Sequence, residues 1–301
     1  MKQKKQKMNM SWIVGGITVV ALGWLLAWML LRTPDATSAK KEFGVAPEVW
    51  GPAQVTFYNV GQGDATIIKT ADQKVVMIDA GGKDAAEGLA NEMKSNGIIK
   101  IDVLIITQWN NDHCGGIPAI MDQFDVGRIC VGEGTNTSES CVLALSKMKD
   151  KGIEPEPLTA DEALEVGDVQ LQVIGPVKSN YQNQDDQSLV IRFVHGEDHI
   201  LFAGDEGQEA QEDIIAAGYD MAADVLKVSN HGHVSGTSTK LINEIKPNYA
   251  VISVGVNDEG DPAPIVVQNL EASGIQIVQL NRVGTTLFNS DGKNVTLLNF
   301  D

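Results

Sequence analysis

The sequence predicts a layered α/β domain standing behind a membrane anchor, and three observations predict it. Apolar runs of strand length alternate with stretches of helical period over residues 54–280. Many of the apolar runs end in turns rich in Gly, Asp or Asn, which is where α/β layers carry their chemistry. An uncharged apolar run of membrane-spanning length precedes them all. With 301 residues, 43% of them apolar, the chain can build one large core or two small ones.

Residues 8–31 form that first run, which meets the ~20 residues a spanning helix needs. Lys2, Lys4, Lys5 and Lys7 precede it and only Arg32 follows at once. The positive-inside rule therefore puts the N-terminus in the cytoplasm and the rest of a single-pass chain outside the cell membrane. The rival is a cleaved signal peptide with Ala36-Thr37-Ser38-Ala39 as the small-residue site, but its apolar core should span only about 7–15 residues. The division expected is a basic tail over 1–10, an anchor over 11–32, a polar aperiodic stalk over 33–52 and a folded domain over 53–301. The first 32 residues carry five positive and no negative charges, so the net −17 of the chain becomes −22 beyond them. Such a surface disfavours tracking along a nucleic-acid backbone; phosphodiester chemistry would need metal ions or a local basic patch. Outside the cell Cys130 and Cys141 could pair as a disulfide, while Cys114 reads as a small buried residue.

Within the domain, Gln54–Val60 and Ala65–Lys69 are strand patterns around Gly61-Gln62-Gly63-Asp64, whose glycines permit a close return of the chain. It is not a dinucleotide fingerprint, because no helix follows. Val75–Ile78 is a buried strand ending in Asp79-Ala80-Gly81-Gly82, and Asp84–Asn96 is an amphipathic helix stopped by Gly97. Val103–Ile106 then runs into Thr107-Gln108-Trp109-Asn110-Asn111-Asp112-His113, and Gly115-Gly116-Ile117-Pro118 opens a helix reaching Phe124. A carboxylate and an imidazole side by side at the end of a strand are residue types that hold Zn, Mn or Fe. Arg128–Val131 is a strand, Glu139–Lys151 a helix and Val169–Ile174 a strand. Asp185 and Asp186 sit in a polar turn, and His195–His199 is a hairpin turn between two apolar strands. The second of these ends in Gly204-Asp205-Glu206, where Asp205 could cap the helix Gln208–Ala217. Ala223–Val228 leads into Ser229-Asn230-His231-Gly232-His233. The strand Tyr249–Val254, the helix Pro264–Gly274, the strand Ile275–Leu280 and a hairpin to Phe288 follow.

These motifs resemble those of the metallo-β-lactamase superfamily, and most of all the hydrolase-like domain of ComEC-type competence proteins. The turn after Ile106 is similar to the H-x-D-x-D-H-x-G-G form of the HxHxDH signature: Asp112 and His113 match, Gln108 stands where the family has His, and Asn110 where this branch has Asp. Residues 59–65 resemble D-V-G-Q-G-D-A, residues 78–82 resemble L-I-D-T-G-G, with the Asp as a brace, and residues 183–190 contain a version of N-N-S-L-V. Gly204-Asp205 resembles L-L-T-G-D. Residues 223–233 resemble A-D-V-L-K-V-P-H-H-G-S, with Asn230 for the first His and His233 for Ser; Asp261 replaces the His of N-x-Y-G-H-P.

The resemblance covers Gln54–Phe288. It implies an αββα sandwich, two mixed β-sheets flanked by helices, carrying a metal-dependent hydrolase. Carried over residue by residue, Asp112, His113, Asp205 and His231 form a ligand set for one divalent ion, Zn or Mn, with Asp112 and Asp205 also catalytic. Gln108, Asn110 and Asp186 would leave at most a weak second site, because amide oxygens hold hard ions weakly and Zn poorly. Lys227, Ser229 and His233 are candidate contacts to a phosphodiester or nucleotide substrate; the first two read equally well as strand-end surface residues, and His233 as facing water. A second class of function stays open. Gln108, Asn110, Asn230 and Asp261 all remove imidazole or charge, which also suits a tethered binding or scaffold module that keeps the fold and one structural ion.

Overall fold

The computed structural model describes residues 41–132, 134 and 138–298. The expected tail, anchor and first part of the stalk lie outside the described residues, and among the described ones no helix is long and apolar enough to cross a membrane.

Two sheets form the centre. The first contains β1 (Ala53–Phe57), β2 (Thr66–Lys69), β3 (Val75–Ile78), β4 (Lys100–Ile106), β5 (Asp125–Val131) and β6 (Glu156–Pro157). The second contains β7 (Ala163–Val166), β8 (Val169–Gly175), β9 (Val190–His195), β10 (Asp198–Phe202), β11 (Val225–Lys227), β12 (Tyr249–Ile252) and β13 (Gln276–Gln279). The chain then returns to the first sheet with β14 (Thr286–Ser290) and β15 (Val295–Leu298), giving the orders β15-β14-β1-β2-β3-β4-β5-β6 and β13-β12-β11-β10-β9-β8-β7. Both sheets are mixed: β3 to β6 and β10 to β13 are parallel runs, and the other pairings are antiparallel.

Side chains alternate across each strand, so every sheet buries both faces. Val55, Phe57, Ile105 and Cys130 of the first sheet meet Leu171, Ile191, Phe193 and Phe202 of the second in the core between them. After α1 (Ala86–Ser95) and the single turn α2 (Asn111–Cys114) come α3 (Ile117–Gln123) and α4 (Glu139–Asp150). Leu89, Met93, Ile120 and Met148 from these helices cover Met77, Leu104 and Ile106 on the outer face of the first sheet. α5 (Gln208–Ala217), α6 (Thr239–Ile245) and α7 (Pro264–Ala272) cover the second sheet, burying Ile214, Leu241, Ile245 and Leu270 against Leu201, Leu226 and Ile252. A last turn, α8 (Leu280–Val283), leads from β13 to β14. The layers read αββα.

The structure bears on one possibility and one expectation from the sequence. Cys130 faces the core between the sheets while Cys141 packs in the helix layer on the opposite face of β5, so the sheet itself separates them; all three cysteines are free and buried. Residues 41–52, read as the later part of a stalk, lie along the domain instead. The Lys41 N–H donates to the Gly218 carbonyl at 3.0 Å, Phe43 stacks on Tyr219 with ring centroids 6.1 Å apart, and the Trp50 N–H donates to Asp168 at 3.0 Å.

Candidate metal centre

The loops that follow β3, β4, β10, β11 and β12 converge at one edge of the sandwich, the place where parallel strands present their carboxyl ends. β3 delivers Asp79 in a left-handed conformation, φ 57°. Its carboxylate accepts the Thr107 N–H at 2.8 Å and the Thr107 hydroxyl at 2.6 Å, and its Oδ2 lies 2.9 Å from His113 Nδ1. β4 delivers Thr107 and Gln108, after which the His113 and Cys114 N–H groups donate to the Asn110 carbonyl at 3.1 and 2.9 Å and wind α2. That single turn aims Asp112 and His113 together. The loop between β1 and β2 rests on it: the Asp64 N–H donates to the Asp112 carbonyl at 3.0 Å, and a Cβ at Gly63 would collide with that same carbonyl. Gly63 is therefore a close-approach glycine, and its φ of 143° adds a second reason.

From the second sheet, β10 delivers Asp205, and β11 is followed by Asn230 and His231, consecutive left-handed residues at φ 48° and 53°. Paired outliers of this kind cost of order 1–3 kcal/mol each and persist where surrounding structure over-determines them. Here the His231 Nδ1–H donates to the Ser253 carbonyl at 2.7 Å, just beyond β12. His113 is held through Nδ1 by Asp79 and His231 through Nδ1 by Ser253, so both Nε2 atoms are turned to the same point. Fixing a ligating imidazole through its other nitrogen is the usual second tier of a metal site.

Around that point, His231 Nε2 is 3.1 Å from Asp112 Oδ2 and 3.7 Å from Asp205 Oδ1, while His113 Nε2 is 2.9 Å from Asp205 Oδ2 and 3.9 Å from Asp112 Oδ2. All four residues offer ligand atoms within 4.8 Å of one another. Donors about 2.0–2.2 Å from a tetrahedral ion stand roughly 3.3 Å apart, and the spacings here bracket that value. Asp205 Oδ1 is buried without a hydrogen-bond partner among the described residues. The donor set, its spacing and this orphaned oxygen fit a divalent cation.

Electrostatics agree with the geometry. Burial works against charge on His231, yet the Asp205 charge, the Asp112 hydrogen bond and Asp64 outweigh it and raise the imidazole to about 9. Burial is likewise overcome at His113, which Asp205, Asp79 and Asp112 push well above its ordinary value. Burial alone would raise Asp205, but the His113 and His231 charges hold it below the usual carboxylate range. The surrounding carboxylates thus favour protons on both imidazoles. A second cluster, Asp64, Asp79 and His113, is the support beneath: Asp79 is committed to His113, and Asp64 forms an ion pair with Lys227. Cys114 is buried, and burial pushes its thiol up to about 12, so it is a packing residue and no ligand.

The other sequence candidates are placed as follows. The Gln108 amide nitrogen lies 3.0 Å from His113 Nε2 and donates to Asp205 Oδ2, and Asn110 Nδ2 donates to Gln108 Oε1 at 2.9 Å. Asp186, expected beside a second ion, is turned into the start of α5, where its Oδ1 accepts the Gly207 and Ala210 N–H groups at 2.9 and 3.2 Å. Its neighbour Asp185 is the one that faces the centre: burial and the Asp205 charge raise its carboxyl, and it accepts the Asn230 amide at 3.4 Å. Lys227 and Ser229, expected at the rim as substrate contacts, are both buried. Lys227 donates to the Gly204 carbonyl at 3.2 Å besides pairing with Asp64, and the Ser229 hydroxyl donates to the Glu206 carbonyl at 2.5 Å. His233 is half-buried, with Nδ1 2.7 Å from the Ser235 hydroxyl. Asp64 and Ser253 received no role from the sequence; only the place of Asp64 in the stretch resembling D-V-G-Q-G-D-A hinted at one.

A family model described as the metallo-β-lactamase superfamily matches residues 58–256. The chain is similar to ComE operon protein 3 of Bacillus subtilis (strain 168), 25% identical over 259 residues that make up 80% of this chain and 33% of that protein. It is also similar to Competence protein ComA of Neisseria gonorrhoeae, 25% identical over 267 residues, 88% of this chain and 36% of that protein. The chain thus spans about a third of the length of these curated relatives. Among solved structures, the metallo-β-lactamase fold protein YhfI from Bacillus subtilis aligns with a TM-score of 0.52 at 10% identity, covering 82% of this chain and 100% of that one. CmlA, a diiron β-hydroxylase from Streptomyces venezuelae, aligns with a TM-score of 0.53 at 15% identity, covering 84% of this chain and 55% of that one. At such identities the shared property is the fold.

Proposed function

Because the chain belongs to the metallo-β-lactamase superfamily, we propose that it is a metal-dependent hydrolase of the ComEC-like branch, anchored in the cell membrane with its C-terminal domain outside. Its substrate would be a phosphodiester, in nucleic acid or a nucleotide, and its cofactor one divalent ion, Zn or Mn. A fold alone does not carry a function. The observation that carries this one is the convergence of Asp112, His113, Asp205 and His231 within 4.8 Å, with each imidazole fixed through its remote nitrogen.

An ion held there supplies Lewis acidity toward the scissile group and makes water a nucleophile near neutral pH. The chain's own residues do the rest. Asp112, with 29% of its side chain exposed, is the member of the set open to solvent; burial opposes its charge, but the His113 charge and the His231 hydrogen bond hold its carboxyl below the ordinary value, so it contributes an ionised oxygen at the solvent side. Asp205, buried and kept ionised, contributes fixed negative charge, and Asp79 and Ser253 keep the two Nε2 atoms aimed inward.

The test is hydrolysis of bis(p-nitrophenyl) phosphate by the chain with Mn or Zn added. Turnover is expected in the parent, and Asp205→Ala should lose more than the roughly 10–100-fold that removal of an outer partner costs. One observation favours a second reading. Lys227 points inward to Asp64 and the neighbouring positions are amides, so the residues expected to meet a phosphate do not offer it positive charge. Metal bound without turnover on any phosphodiester would assign the domain to binding or scaffolding.

A further inference from the structure

We propose that the Gln108 carboxamide takes the place of a cation beside Asp205, so that the centre is built for a single ion and Gln108 is a positioning residue for the Asp205 carboxylate; this rests on the single-site reading above. Gln108 is buried, and its amide nitrogen contacts Asp205 Oδ2 while lying 3.0 Å from His113 Nε2. It therefore faces two of the four ligand atoms that surround the ion's position.

An ionised carboxylate only accepts hydrogen bonds, so Asp205 fixes which end of the amide turns inward: the NH₂ faces the centre and Oε1 faces out. The outward oxygen is itself engaged, accepting Asn110 Nδ2 at 2.9 Å, and Asn110 Oδ1 in turn accepts Gln184 Nε2 at 3.5 Å. The three amides donate in one direction, from exposed Gln184 through Asn110 and Gln108 to Asp205. A side chain that served a second ion would present oxygen to it. Along this chain the oxygens are used by the preceding amide, and what meets the carboxylate is an N–H donor. Its partial positive charge suits Asp205 and repels a second cation. Asn230 behaves alike, giving its amide hydrogens to Asp185 at 3.4 Å.

The experiment counts ions bound to the full chain after free metal is removed, in the parent, in Gln108→Ala and in Gln108→His/Asn110→Asp, with Mn loading also followed by electron paramagnetic resonance. The expected results are about one ion in the parent and about two, magnetically coupled, in the double variant, which restores an imidazole and a carboxylate. Gln108→Ala should keep about one ion but hold it roughly 10–100-fold more weakly, as loss of an outer partner does. Two ions in the parent, or unchanged affinity in Gln108→Ala, would overturn the proposal. No ion in any of the three would instead sink the single-site reading on which it stands.

Discussion

His231 makes a prediction by itself. Its folded-state value of about 9 lies above the ordinary 6.5, so in the metal-free chain its charge contributes stability that is complete below about pH 6.5 and lost as pH rises through about 9. Thermal melts of the metal-free chain should therefore fall across that window, with a shallower fall in His231→Gln. Metal has to displace the same protons, so metal affinity should climb over the same range. Asp79 acts at one remove: Asp79→Asn weakens the acceptor of His113 Nδ1, and metal affinity should drop by roughly 10–100-fold with the fold intact by circular dichroism. Glu206 is the opposite case. It is fully buried, neither carboxylate oxygen has a partner among the described residues, and burial, with help from Asp186, raises it well above its ordinary value. A raised acid costs stability above its unfolded value, so Glu206→Met should raise the melting temperature, and by more at about pH 8 than at about pH 4.

At the scale of elements, the edge opposite the candidate metal centre is tied by a buried polar knot. The Ser290 hydroxyl of β14 donates to Asp198 of β10 at 2.6 Å, the Gly292 N–H donates to the same oxygen at 2.9 Å, and His195 of β9 lies 2.6 Å from Ser290 and 3.4 Å from Asp168. Ser290→Ala leaves Asp198 and His195 short of a partner and should cost about 1–3 kcal/mol in denaturant melts, without changing metal content. Such ties show where sequence reading stops. The apolar run of β4 and the helical period of α5 are local signals, and both elements lie where the pattern puts them. β7, with exposed Ala163 and Glu165 beside Leu164 and Val166, alternates for only four residues and carries no comparable signal. In the centre, Asp112, His113, Asp205 and His231 each follow a recognisable strand, but only the family resemblance joined them into one candidate set. The inward turn of Lys227 was not, because its partner Asp64 comes from the other sheet. Nor could the sequence choose between adjacent Asp185 and Asp186; a single 3-10 turn over Asp185–Gln187 makes one face the centre and the other cap α5.

On the scale of the molecule, two mixed sheets bring loops from both halves of the chain to one edge, so the candidate ligand set depends on the sandwich as a whole: Asp112 and His113 come from the first sheet, Asp205 and His231 from the second. A bound ion should accordingly stabilise the entire fold, by about 2.7 kcal/mol when free metal is 100 times its dissociation constant. The chain's net charge of −17 and the carboxylates gathered at this edge favour a cation there before any substrate. The most direct test is the metal content of the chain purified without chelator, beside Asp205→Ala and His231→Ala. About one divalent ion in the parent and none in either variant is the result the four-ligand centre predicts. A parent that carries no ion, and takes none up when Zn or Mn is supplied, would contradict it.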